Sequence, residues 1–471
     1  MFGESAEEHL HSVGLLPHQV EFVDEVVNAT RPARFLLIAP PGLGKSQAII
    51  AAIGKLTSQS TTPTRSLVIV PSALQADWAE LLERVLGMKP LVVDAPAYRR
   101  LQAETPSDQN PWDAHQCIVT SIDFLKKGER AMQALSVPWD VVVLHEVHEW
   151  PARSWRRTAA TRIWHADLVS LGIATTTSTD EVHWEATARV YRWTYGHLRG
   201  RDGAPISPRR DTLVTTYQLS ASELRFDNEF ERFLADPAIA KVSRILLARR
   251  HSSIYAVEQS LRRRLAQIEY FNDYTRPSEG LEIEELSDEA LDVLALILET
   301  QSRDEGSQQL LGLLEQISHD SKWAACEDVL RSLGVGEESS LVVFTEFADT
   351  AEYVGSLAES SGWRAHLITR AISVADRLEV LQEARSEPGV LIITTGAIEG
   401  LNLDVSDHVL HYDVPRQPEA LLRRYGIVEY SSGRFPTIHH HFLVEDDPAA
   451  ESVLESMQAR VAEIERMFWR R

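Results

Sequence analysis

Gly42, Gly44, Lys45 and Ser46, set in the run APPGLGKS at 39–46, are residue types that together can hold phosphate. Glycines let successive backbone N–H groups converge on one anion, a lysine adds a point charge beside the terminal phosphates, and a serine hydroxyl is a hard oxygen ligand for a divalent cation. The run fits [AG]-x-x-x-x-G-K-[ST], with Pro41, Leu43 and Gln47 completing the loop. A second run, WDVVVLHEVHEW at 139–150, is hydrophobic and then ends in His145 and Glu146. A strand ending in two acids is how a phosphate loop commonly receives its magnesium ligand and the group that orients water. Here the first of the two positions is a histidine.

A phosphate loop requires a strand that delivers it and a helix whose N-terminus backs it. RFLLIA precedes this one and QAIIAAIGKL, with helical period, follows. Apolar β-branched runs at 34–40, 66–71, 116–121, 140–146 and 169–175 alternate with helical segments, which suits a parallel sheet covered on both faces. The pattern restarts at 339–347, 364–369, 389–395, 408–415 and 440–446. An α/β chain with two parallel-sheet lobes is expected, at 15–218 and 321–447, with a helical segment at 219–320 between them. An extension at 1–14 precedes the lobes and a C-terminal helix over 448–471 follows, with Val453, Met457, Val461, Ile464 and Phe468 on one stripe. The acidic stretch 279–292 reads as a solvated helix face.

The 471 residues carry a formal charge of −22, so any nucleic-acid contact must come from a local basic patch. Cys117 and Cys326 are too far apart in sequence for a metal knuckle and read as packing residues. The acidic opening lacks a signal-peptide layout and no apolar run is long enough to span a bilayer, so a cytoplasmic protein without a membrane partner is expected.

The order of these segments resembles the superfamily-2 helicase fold, specifically the Swi/Snf-type double-stranded-DNA translocases, nearest the bacterial branch that includes the RNA-polymerase-recycling ATPase. LLPHQVEFV (15–23) is similar to that family's adenine-reading element, with Gln19 at its glutamine. LVIVPSALQADWAELL (67–82), CIVTSIDFLKK (117–127), HDSKWAACEDVL (319–330), LVVFTEFADTAEYV (341–354), TTGAIEGLNLDVSDHVLHYDVP (394–415) and RRYGIVEYSSGR (423–434) follow in the family's order. The resemblance implies two tandem RecA-like lobes binding ATP and Mg²⁺ between them and double-stranded DNA across them, with protein partner subunits also implied. Lys45 and Glu146 are the implied catalytic pair, and Ser46 and His145 stand at the positions of the magnesium ligands. Pro41 to Gln47 line the phosphates, and Gly400, Asn402 and Arg424 complete the nucleotide set.

Departures from the family are concentrated on the chemistry. An imidazole is a poor replacement for a carboxylate on Mg²⁺. Ile427 and Tyr430 occupy the positions of two arginines that would reach the γ-phosphate; Arg424 and Arg434 stand nearby but out of register. Thr395 replaces an aspartate. The expectation is therefore a weak or degenerate ATPase, the alternative being a non-hydrolysing, nucleotide-dependent scaffold that regulates a partner.

Candidate nucleic-acid residues are Arg153, Arg156 and Arg157 in RSWRR, and Arg189, Arg192 and Arg199 interleaved with aromatics at 188–201. The simpler account of 188–201 is an amphipathic helix with snorkelling arginines. The basic run 243–265 resembles the segment closing the family's first lobe. The histidines around Glu146 lack zincin spacing, because Glu149 stands where a second histidine is needed. His408, His411, His439, His440 and His441 fall in expected strands and read as strand packing, neighbours facing opposite ways.

Overall fold

The computed structural model describes residues 15–125, 128–150, 154–177, 182–200, 203, 206, 208–239, 243–273, 305–337, 339–398, 401–430 and 434–469. The chain divides into two compact units, the second starting at Pro208.

The first unit is built on seven strands: β1 (Ala33–Ile38), β2 (Ser66–Val70), β3 (Leu91–Val93), β4 (Cys117–Ser121), β5 (Trp139–Leu144), β6 (Val169–Thr176) and β7 (Arg189–Arg192). They form one sheet in the order β3-β4-β2-β5-β6-β1-β7, and every pairing is parallel. The central strands β1, β2, β4, β5 and β6 are almost wholly buried, which is why they read as continuous apolar runs. Helices Pro17–Asn28, Lys45–Gln59 and Gln75–Leu86 cover it, burying Phe22, Ile49, Ile53, Trp78 and Leu82.

The second unit carries β8 (Arg209–Tyr217), β9 (Leu341–Thr345), β10 (Ala365–Ile368), β11 (Val390–Thr394), β12 (His408–His411) and β13 (Thr437–Glu445), again all parallel, in the order β10-β11-β9-β12-β13-β8. Its two faces are packed by separate clusters, one around Cys326, Leu330, Val343 and Tyr412, the other around Phe344, Leu381, Ile393 and Val409. Two parallel sheets covered by helices are the tandem RecA-like architecture expected.

Four details differ from expectation. The border at 218 moves to 207, because β8 pairs along its whole length with β13 rather than with the first sheet. Residues 189–192 form an edge strand and 195–197 a 3-10 turn, not a helix, since Tyr191 packs on Phe22 and Phe35 while the arginines on either side of the Val190–Tyr191 pair point outward. The basic run 243–265 is two helices, Ser243–Ser252 and Ile254–Asp273, and both belong to the second unit, where they share a cluster with Phe226, Phe230 and Leu310. On the last helix, Pro448–Trp469, Val453 is exposed and Leu454 is buried in its stead. The acidic stretch 279–292 and the extension 1–14 lie outside the described residues.

Candidate nucleotide site

β1 and β5 both end at the same edge of the first sheet, separated by β6 alone. The loop after β1 and the acid after β5 are therefore brought together by sheet order, at the carboxyl ends of parallel strands. Ala39 N–H donates to the Thr176 carbonyl of β6 (3.1 Å), fixing where the loop leaves the sheet. Gly42 and Gly44 then take φ of 84° and 73°, the left-handed region that turns N–H groups inward and favours glycine. At Gly44 a Cβ would also fall 1.9 Å from the Gln19 amide nitrogen, so any side chain there would displace the Gln19 side chain from the loop. The helix Lys45–Gln59 begins at the next residue, with Ala48 N–H donating to the Gly44 carbonyl (3.0 Å).

Lys45 is buried, and its ammonium donates to the Ala39 (3.0 Å) and Pro40 (3.3 Å) carbonyls, with Glu146 Oε1 at 3.7 Å. Pro41 and Leu43 are buried, Gly42 is exposed, and Ser46 and Gln47 are half-buried. Gln19 accepts from Leu16 N–H (2.7 Å), while its amide donates toward the Leu43 and Gly44 carbonyls and Gln47 Oε1, each at 3.3 Å. His18 donates to the Leu43 carbonyl (3.2 Å), and burial, partly offset by that bond, holds its pKa below 6.5. The helix Pro17–Asn28 thus clamps the phosphate loop with two adjacent side chains.

At the end of β5, Glu146 has φ 59°, the one non-glycine residue with positive φ among the described residues. Such a conformation costs roughly 1–2 kcal/mol and persists where surroundings enforce it. Thr175 of β6 does so. Its hydroxyl accepts from Glu146 N–H (3.1 Å) and hydrogen-bonds His145 Nδ1 (2.9 Å), while His145 Nε2 faces Glu146 Oε1 at 3.5 Å. His145 is 2% exposed and its ring lies 4.9 Å from that of Trp78. His148 Nε2 lies 3.3 Å from Glu146 Oε2 and is held by Thr177. Sequence reasoning did not single out His18, Trp78 or Thr175 as site residues and weighed His148 only as a zinc ligand; Thr175 lies within the threonine-rich run IATTTST at 173–179, which was the available signal.

The phosphate loop fits a nucleotide's phosphates: paired left-handed glycines, a lysine and a helix start converge. The magnesium donor set fits only in part. Ser46 and Glu146 offer oxygen, but His145 offers an imidazole already tied to Thr175.

In the second unit, Arg424 is fully enclosed. Its guanidinium donates to the Asp413 carbonyl (2.7 Å) and Oδ1 (2.8 Å) and to Thr395 Oγ1 (2.8 Å), so in this structure its donors are engaged within the second unit. Tyr430 is buried and Ile427 packs on the cluster around Phe344. Asp413 also accepts from Ser252 and Thr345, each at 2.6 Å. Burial would raise Asp413, but Arg424, Lys322 and these hydroxyls hold it below the usual carboxylate range. Burial beside Asp413 pushes Glu346 up to about 7. Burial also lowers Lys322 to about 8, against the pull of Asp413, and its ammonium donates to the His251 and Ser252 carbonyls. Asn402 is half-buried, and its Oδ1 has no hydrogen-bond partner among the described residues. Gly400 lies outside the described residues.

The candidate nucleic-acid arginines have local partners. Arg156 pairs with Asp123 (2.6 Å), Arg157 donates to the Val147 carbonyl (3.0 Å), Arg192 pairs with Glu185, Arg199 donates to the Gly196 and Leu198 carbonyls, and Arg189 lies over the Phe35 ring. Arg189 and Arg192 are exposed; Arg153 lies outside the described residues.

Residues 18–161 match the SNF2-related domain family and residues 321–427 the helicase conserved C-terminal domain. RNA polymerase-associated protein RapA of Vibrio cholerae (strain M66-2) is 24% identical over 457 residues, covering 88% of this chain and 46% of the relative. RapA of Vibrio vulnificus (strain YJ016) is 34% identical over 153 residues, 30% of this chain and 15% of the relative. The chain thus spans about half the length of the curated relatives it matches. The helicase domain of Pyrococcus furiosus Hef covers 94% of this chain and 98% of its own at 17% identity, with a TM-score of 0.46.

Proposed function

This chain belongs to the Swi/Snf-type family of superfamily-2 helicase-fold proteins, and from that premise we propose that it binds ATP at the phosphate loop and acts on double-stranded DNA as a weak, degenerate ATPase within a larger assembly. One observation carries the nucleotide reading: two left-handed glycines, a helix N-terminus and Lys45 beside Glu146 form a complete phosphate cradle. In this proposal Gly42 to Gln47 and Gln19 hold the nucleotide, Ser46 supplies an oxygen to Mg²⁺, and Glu146 orients water. Bound Mg²⁺ would neutralise charge on the phosphates.

Weak turnover follows from three features of the chain's own residues. His145 presents a nitrogen where an oxygen is needed, Arg424 is committed to Asp413 and Thr395, and Ile427 and Tyr430 carry no charge to set against the γ-phosphate. An arginine there is worth roughly 10³–10⁵ in rate. A second reading, a nucleotide-dependent scaffold that does not hydrolyse, is favoured by the burial of His145.

DNA contact is assigned to Arg153, Arg156, Arg157, Arg189, Arg192 and Arg199, of which exposed Arg189 and Arg192 on edge strand β7 are the strongest. Protein subunits as partners belong to the same proposal, since the relatives are named for association with RNA polymerase. So does a cytoplasmic place. No helix among the described residues is long and apolar enough to cross a membrane.

The test is calorimetric nucleotide binding beside steady-state hydrolysis, with and without duplex DNA. Wild type is expected to bind ATP and to turn it over slowly, and Lys45→Ala to lose the binding. No heat and no thermal stabilisation at millimolar ATP would end the nucleotide reading. Brisk DNA-stimulated hydrolysis would end the degenerate one.

A further inference from the structure

One face of the second sheet carries a polar cluster that the nucleotide site does not use. His408 of β12 is in register with His439 of β13, which is in register with Asp211 of β8. Because side chains alternate along a strand, His408, His439, His441 and Asp211 share this face and His411 and His440 take the other. The His408 and His439 rings stack at 4.7 Å with 17° between their planes. His408 Nδ1 lies 3.0 Å from His441 Nε2, and His439 Nδ1 lies 3.4 Å from Asp211 Oδ2. Asp407, immediately before β12, adds a carboxylate. One ligand atom from each of Asp407, His408 and His439 falls within 4.8 Å of the other two, and all three residues are half-buried.

We infer that Asp407, His408 and His439 bind one divalent transition-metal ion of the zinc type, with Asp211 and His441 orienting the two ligating rings. Donor chemistry selects the class of ion: two imidazoles and one carboxylate suit zinc, cobalt, nickel or copper, whereas magnesium and calcium prefer oxygen alone. Geometry permits it. Bonds of about 2.0–2.1 Å in a tetrahedral site put donors roughly 3.3 Å apart, which the present separation reaches by side-chain rotation. A water completes the fourth position.

The surrounding groups supply what ligating histidines need. Such rings are normally held through their other nitrogen by a carboxylate or another polar group. Asp211 meets that need for His439, and His441 does so for His408.

The test is titration of zinc alone into the untagged full chain without nucleotide, followed by competition with a chromophoric chelator. One equivalent is expected to bind, with Asp407→Asn and His439→Ala each weakening affinity by roughly tenfold or more. Cobalt(II) is expected to give a visible absorption band that the same variants lose. His439 is partly exposed, so His439→Ala decides the matter if His408→Ala fails to fold. No saturable one-equivalent binding by wild type, or unchanged affinity in Asp407→Asn and His439→Ala, would overturn the site and leave a hydrogen-bonded histidine cluster.

Discussion

His145 and Glu146 stand side by side in a pocket walled by Trp78 and Thr175, so an aspartate in place of the histidine would set two carboxylates close together away from water. Without a cation one of them must take up a proton or the fold must yield. His145→Asp is therefore expected to destabilise the free protein by about 1–3 kcal/mol through the buried like charge and the space left beside Trp78. Magnesium with ATP should recover much of that loss, giving the variant a larger thermal upshift than wild type. Melting curves with and without the pair check it, and a variant whose melting ignores magnesium would show that position 145 does not face the cation. Hydrolysis should stay slow, since Arg424 remains committed to Asp413. The loop itself was legible in the sequence, because its glycines, lysine and serine are demanded by spacing. The fate of Arg424 was not, because Thr395 is a chain neighbour only through the fold.

On the opposite face of the second sheet from the proposed metal site, four elements are tied by one proton-ordered chain. Arg210 of β8 forks onto Glu429 at the end of the helix Pro418–Glu429 (2.5 and 2.8 Å), His440 of β13 donates to Glu429 (3.1 Å), and His411 of β12 donates to His440 (3.0 Å). That direction leaves His411 Nδ1 as the acceptor with no partner among the described residues, as observed. Burial alone would raise Glu429, yet Arg210 and His440 pull it down to about 2. An acid lowered from 4.5 to about 2 contributes stability that is present above pH 4.5 and is lost as pH falls through 2. Glu429→Gln is expected to cost about 3 kcal/mol at neutral pH. Denaturant curves at pH 7 and at pH 3 should show the gap to wild type narrowing on the acid side; a gap of constant width would mean that the charge of Glu429 is not what matters. The strands β7 and β8 escaped the sequence pattern for a related reason. Each is an edge with one neighbour, so Arg189, Arg192 and the exposed residues of β8 interrupt the apolar run that betrays a covered strand.

Across the whole chain, a charge of −22 opposes any polyanion, and DNA binding has to be won by a few arginines against that background. If Arg189 and Arg192 touch phosphates, the log–log dependence of affinity on salt should flatten by about two units of slope when both become alanine. Fluorescence anisotropy at several salt concentrations measures it, and an unchanged slope would remove β7 from the interface. The two-lobe organisation was readable from the restart of the strand pattern, but the border was not, because β8 precedes the helices of its unit while its partner lies near the other end of the chain. That separation governs how the protein can be made. A ribosome releases β8 before any other strand of its sheet, and β13, its sole neighbour, emerges last. Closure of the second sheet must therefore wait until β13 has been made, and a Thr-rich edge stands open until then.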